Sequence, residues 1–279
     1  MKFLIEMYGE LDIEAIFLRE KLDRYKFIHS YDSTRIAKIC KDDTCPVGTI
    51  PFVERCLQLH ENPIEIPVYL RTDEFLKRDY RFMKWNEVPR TGRFFLKDAS
   101  NLKKFGKIVN ADYEISDELW NYKPKNRFDS TLVLSKQSDY IVSSLFPVKS
   151  EYRVYVFGGS IEQIICYDGD CTLFPDMNLI KKAVTLINTN EKWLKSYTID
   201  VMVNNRETAL IEIHNFTSCG LYGTLWSDYL IQAYIDGINY LKYDNRKLYT
   251  GKGDIPLKLN ADGSREEDEK LFALLEKMY

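Results

Sequence analysis

The residues of this sequence best placed to do chemistry lie between Thr198 and Gly223, in TIDVMVNNRETALIEIHNFTSCGLYG. Two Val- and Ile-rich runs, Thr198–Val203 and Thr208–Ile213, flank the polar turn Asn204–Asn205–Arg206 and predict an antiparallel hairpin. Side chains alternate across a strand, so Ile199, Val201 and Val203 oppose Asp200, Met202 and Asn204, while Ile211 and Ile213 oppose Leu210, Glu212 and His214. Glu212 and His214 thereby share a face, and pairing about the turn brings Asp200 close to them. Two acids and a nitrogen or amide ligand on one sheet wall cost on the order of several kcal/mol unless a cation sits among them. Such an oxygen-rich set suits Mg²⁺, which keeps its waters and bridges phosphates. The same spacing also fits a solvated hairpin face carrying ordinary acids.

Other groups could join that chemistry. Arg93–Lys97 (RFFLK) reads as an apolar strand that ends in a lysine, placed to meet an anion as a point charge. The loop after it, DASNLKKFG, adds Lys103 and Lys104. Glu151–Ile161 predicts a hairpin turning at Gly158–Gly159, with Glu151, Arg153, Tyr155 and Phe157 on one face. Glu151 and Arg153 also fit a surface ion pair of little energetic weight. Between Pro63 and Glu87, Arg71, Lys77, Arg78, Arg81 and Trp85 suit either an anion-binding surface or a solvated helix face. Cys219 sits beside a glycine, where a thiol is more often structural than reactive. No G-x-x-x-x-G-K-[ST] loop exists, and Lys97–Asp98–Ala99–Ser100 fails the Lys-x-Asp-Gly pattern of a nucleophilic lysine.

The elements that must hold these residues are legible in outline. Residues 2–7, a helix over Asp12–Tyr25 and a strand over Lys26–Ser30 predict a small α/β unit. Pro46–Val53 (PVGTIPFV) breaks that rhythm and leads into a helix over Val53–Leu59. Helical potential recurs at Ile115–Asn121, and Tyr140–Phe146 predicts a strand and turn. Asp176–Thr189 and Leu225–Tyr240 have apolar faces at helical spacing, and the tail from Asn260 ends in a short acidic helix. With 279 residues, 45% hydrophobic and 29% charged, the chain can bury a substantial core. A formal net charge of −3 argues against nucleic acid as a partner. No run is long enough to span a membrane and the N-terminus lacks a signal-peptide pattern, so the expected compartment is the cytosol. The six cysteines form no CxxC pair and read as reduced thiols.

An Asp on one strand and a Glu-x-Asn at the end of the next, followed by a glycine loop, resembles the metal-binding signature of the ATP-grasp superfamily. Asp200 and Glu212 match its acidic ligands; His214 stands where that family usually has Asn, and Asn215 follows it. The loop from Ser218 to Gly223 is similar to the GLYG turn of a compact phage and bacterial ATP-grasp group. PVGTIPFV, FFLK and the Glu-x-Arg of EYR resemble further elements of the same group in the same order, spanning about residues 46 to 223.

The resemblance implies a mixed α+β and α/β fold. An N-terminal α/β unit would cover residues 1–88 and an ATP-grasp domain 89–259, with lobes of about 89–145 and 146–259 clamping ATP. An acidic tail would follow over 260–279. It implies ATP and Mg²⁺ as cofactors, Asp200, Glu212 and either His214 or Asn215 as metal ligands, and Lys97 with Lys103 or Lys104 on the nucleotide phosphates. Arg153 would face the transferred phosphate with Glu151 nearby, and the backbone of Ser143, Ser144, Leu145 and Phe146 would read the adenine edge. Lys97 and Arg153 would be catalytic. The implied activity is ATP-dependent ligation of a carboxylate to an amine or thiol through an acyl phosphate. A kinase-like phosphotransferase and a nucleotide- or partner-binding protein without turnover remain alternatives, and a homodimer is allowed.

Overall fold

The computed structural model describes residues 2–7, 18, 22, 25–29, 40, 43–57, 66–99, 106–114, 139–217, 219–222 and 229–248. They form three sheets. The first is parallel, in the order β2-β1-β3, from β1 (Lys2–Met7), β2 (Tyr25–His29) and β3 (Thr44–Val47). Helix α1 (Ile50–Leu57) follows β3 and starts three residues earlier than its apolar pattern indicated. Of the helix expected over Asp12–Tyr25, three residues are described: Leu18 is helical and fully buried, but Leu22 is not helical and Tyr25 already begins β2, so the helix does not reach its expected end.

The second sheet has the order β4-β7-β5-β6, from β4 (Tyr80–Lys84), β5 (Arg93–Asp98), β6 (Gly106–Asn110) and β7 (Asp139–Ser143). One expectation needs correction here. The basic stretch before residue 88 is not a helix face: after the short helix α2 (Asp73–Leu76) it runs as a strand. That strand pairs with β7, so the second sheet begins by Tyr80. The physical reason is that Trp85 and Val88 bury against Phe94, Leu96, Val109, Tyr140 and Val142, an apolar layer that only the whole sheet completes.

The third sheet has the order β11-β10-β8-β9 and is antiparallel throughout, from β8 (Ser150–Phe157), β9 (Ser160–Gly169), β10 (Tyr197–Val203) and β11 (Thr208–Asn215). One face of it packs Tyr152, Val154, Val156, Ile199, Val201, Leu210 and Ile213 against α3 (Met177–Asn190), whose Leu179, Ile180, Ala183, Val184 and Ile187 are buried. Each Val, Leu or Ile side chain so removed from water is worth roughly 1.5–3 kcal/mol. Asp176 caps α3 by accepting from the Asn178 amide. At one end of the opposite face, Tyr155 and Phe157 join Phe216 and the apolar stripe of α4 (Leu230–Leu248) in a core shared with Phe3, Leu4 and Ile5 of β1. The rest of that face is polar and carries the site.

No helix among the described residues is long and apolar enough to cross a membrane. Helix α4 is described over Leu230–Leu248, past the expected end at Tyr240; residues 225–228 of the expected helix lie outside the described residues. The helical potential at Ile115–Asn121 and the tail over 260–279 lie outside the described residues.

Candidate active site

The hairpin β10–β11 forms as its sequence predicts, closed by Asn204, whose side-chain oxygen accepts from the amides of Arg206 and Glu207. Its register puts Asp200 directly opposite Glu212, and on the other side Asp200 lies opposite Arg153 of β8. Arg153, Asp200 and Glu212 therefore form one row across three strands, on the face away from α3. Strict alternation would have put Leu210 on that polar face with Glu212, but the register shifts between Asp200 and Val201, leaving Ile211 as the extra residue of a bulge. The bulge sends both Leu210 and Ile213 into the α3 core and leaves Glu212 on the open side.

Arg153 is buried and makes a two-pronged contact with Asp200: Nε donates to Oδ1 at 2.8 Å and Nη2 to Oδ2 at 2.7 Å. Its Nη1 donates to the Gly220 carbonyl at 2.9 Å, which also accepts from the Tyr155 hydroxyl. Burial opposes the guanidinium charge, but the hydrogen bonds to Asp200 and the attraction of that carboxylate win, and the Arg153 pKa is raised. Lys97, at the end of β5, reaches from the second sheet to Glu212 of the third, Nζ donating to Oε2 at 3.2 Å. A line of alternating charge, Lys97, Glu212, Asp200 and Arg153, thus joins the two sheets.

His214 follows Glu212 on the same face, opposite Thr198, and its Nδ1 donates to the Asn215 carbonyl. Asn215 is opposite Tyr197, one residue out of phase with Glu212; its Oδ1 accepts from Thr217, while its Nδ2 is buried with no partner among the described residues. Among the described residues, no group of three or more His, Cys, Asp or Glu side chains gathers in metal-ligating geometry. Glu151 sits two residues before Arg153 and accepts from the Tyr167 hydroxyl at 2.7 Å. Ser143 ends β7, and Ser144, Leu145 and Phe146 start the connection from the second sheet to the third; the Ser144 hydroxyl and amide both bond to the Asp79 backbone. Lys103 and Lys104 lie outside the described residues.

Two residues that sequence reasoning did not single out complete the setting. Tyr167 is the extra residue where β8 and β9 shift register between Glu151 and Tyr152. Its ring stacks on Tyr222 with centroids 4.9 Å apart. Burial, then the charge of Asp200 and the bond to Glu151, push the Tyr167 hydroxyl pKa up, so it stays a neutral donor. Tyr222 was legible as part of the glycine loop; Tyr167 had no signal, because a bulge leaves none in the spacing.

With this geometry in view, the family comparison is decisive: the model of the ATP-grasp domain, R2K clade family 2, matches residues 75–231, more than half of the chain. The chain belongs to the R2K clade of ATP-grasp domains. The match begins within α2. The ATP-grasp fold also relates the chain to N5-carboxyaminoimidazole synthetase from Staphylococcus aureus complexed with ADP. That likeness has a TM-score of 0.51 at 11% identity, over 85% of this chain and 77% of the other. D-alanine–D-alanine ligase from Bacillus anthracis complexed with ATP superposes with a TM-score of 0.48 at 14% identity, over 91% of this chain and 100% of that one. No curated protein sequence matches significantly.

Proposed function

We propose that this ATP-grasp protein is an ATP-dependent ligase that joins a carboxylate to an amine or thiol. The observation that carries the reading is the charged line Lys97, Glu212, Asp200, Arg153 across the two sheets. A substrate carboxylate oxygen attacks the γ-phosphorus of ATP and the bond to ADP breaks, giving an acyl phosphate. The acceptor nitrogen or sulfur then attacks the acyl carbon, phosphate leaves with the bonding pair, and the acceptor's proton passes to solvent or phosphate. No side chain need become covalently attached. Lys97 and Arg153, with Lys103 or Lys104, neutralise the charge that spreads over the phosphoryl oxygens as they pass between donors. Backbone groups of Ser143 to Phe146 take the adenine edge, and Glu151 borders the same face.

Mg²⁺ fits the donor set. Asp200 and Glu212 are hard oxygen donors directly opposite each other, and each is now balanced by a cationic side chain, the charge a divalent ion would otherwise offset. Asp200 and Glu212, with His214 or Asn215, would hold the ion, which supplies charge neutralisation at the phosphate oxygens.

A second reading, a nucleotide-binding protein without turnover, is favoured by one observation: both Asp200 oxygens are already taken by Arg153. Calorimetric titration with a non-hydrolysable ATP analogue, with and without Mg²⁺, followed by an ADP-release screen of acids with amines and thiols, separates the two. The ligase reading expects Mg²⁺-dependent binding and ADP release that requires an acid. Binding without release under any acid and acceptor supports the second reading, and no binding at all refutes both.

A further inference from the structure

We infer that Tyr222 is a positioning residue for Arg153, an inference that rests on the ligase reading for its kinetic consequence but not for its structural test. Tyr222 is one of only two non-glycine residues with positive φ among the described residues, at φ 41°. A tyrosine in the left-handed region is strained, and that strain persists only where surroundings hold it. Burial does not hold it, since Tyr222 is 50% exposed. What meets its ring is the site. The Arg153 guanidinium carbon lies 4.8 Å from the Tyr222 centroid and 5.7 Å from that of Tyr167, and the two rings stack within 13° of parallel. Three planar groups thus support one another over the buried Arg153–Asp200 pair.

The rest of the loop is arranged around the same guanidinium. Gly220, two residues earlier, gives its carbonyl to Arg153 Nη1 and to the Tyr155 hydroxyl. A Cβ at Gly220 would come within 3.2 Å of the Tyr222 ring, so the glycine leaves room for the ring to lie where it does. Tyr167 is fixed from behind by its bond to Glu151. Asp200 and Gly220 thus fix the edge of the guanidinium, and Tyr222 restrains its face. An arginine that meets a phosphoryl group through a fixed fork loses rate when that fork can swing.

The test compares Tyr222→Phe, which keeps the ring, with Tyr222→Gly, which removes the ring but relieves the positive φ. Two readouts are taken on the full chain: rotation about the Arg153 Nε–Cζ bond by NMR, and ADP release with binding of a non-hydrolysable ATP analogue. The expectation for Tyr222→Gly is guanidinium rotation at least tenfold faster, kcat down about tenfold, analogue affinity within twofold, and a melting temperature no lower than wild type. Tyr222→Phe retains the wild-type values. A merely structural tyrosine would move stability and activity together in Tyr222→Gly and leave Arg153 rotation unchanged. Unchanged Arg153 rotation in Tyr222→Gly overturns the inference. Faster rotation in a protein that never releases ADP, wild type included, upholds the positioning role and refutes the ligase reading instead.

Discussion

Replacing Asp200 tests the site more sharply than any other single change, because the structure makes it a stability experiment as well as a functional one. Asp200 and Arg153 have side chains only 6% and 9% exposed, and they share two short hydrogen bonds. Removing one partner of such a pair leaves a buried charge uncompensated, at a cost of roughly 3–5 kcal/mol. For a domain of this size, about 2–4 °C of melting temperature is lost per kcal/mol, so Asp200→Leu should melt roughly 6–20 °C below wild type. Arg153→Met should fall by a similar amount, since it strands the carboxylate. The double variant replaces the pair with apolar groups and should recover most of the loss, because buried ion pairs and well-packed apolar residues are often close in free energy. The assay is urea unfolding followed by far-UV circular dichroism and tryptophan fluorescence, closed as a double-mutant cycle. The expected coupling exceeds about 2 kcal/mol and survives added salt, because a buried pair is screened little. A single Asp200→Leu within about 0.5 kcal/mol of wild type would refute the burial argument, since that is what surface substitutions give. Loss of ATP turnover in Asp200 variants is meaningful only beside this stability measurement.

Other outcomes follow from the same structure. Lys97→Met should weaken analogue binding roughly tenfold, or 1.4 kcal/mol. Its pair with Glu212 is about a quarter exposed on each side, so stability should change by less than about 1 kcal/mol; equal losses of both would contradict a phosphate role. Gly169 has φ +81° and a Cβ there would lie 2.1 Å from the Lys149 carbonyl, whereas Gly92 has φ +85° with open space around it. Gly92→Ala should cost about 1–2 kcal/mol in chemical denaturation and Gly169→Ala clearly more, by roughly a further 1–3 kcal/mol; equal costs would mean that strain alone matters. Cys45 is fully buried, and burial pushes its thiol up to about 12 from an ordinary 9.0, while Cys171 is exposed. The folded state therefore holds that proton more tightly than the unfolded chain; the Cys45 contribution to stability is full below about pH 9 and fades as pH rises toward 12. At pH 8 a thiol reagent should label Cys171 quickly and Cys45 only on unfolding, read by peptide mass spectrometry; fast labelling of Cys45 in the native state would contradict its burial.

Much of this molecule was written into local pattern. Alternation of Val and Ile about Asn204–Asn205–Arg206 determined the β10–β11 hairpin, the pair of glycines at 158–159 determined the β8–β9 turn, and helical spacing determined α3 to within a residue at either end. Pairing about the turn also brought Asp200 near Glu212, but the register set by the loop alone would leave it opposite Ile211, and the bulge there is what puts it directly against Glu212. Three things had no local signature. The basic stretch before residue 88 became a strand only because Trp85 and Val88 needed the second sheet to bury against. The bulges at Ile211 and Tyr167 inserted one residue each, and a single insertion inverts every later face assignment without changing composition. The partners of the charged residues depended on distant chain: Arg153 meets Asp200 and Gly220, 47 and 67 residues away, and Lys97 meets Glu212, 115 residues away. Spacing along a strand tells which residues share a face. Only the folding of separate sheets against one another decides which faces meet.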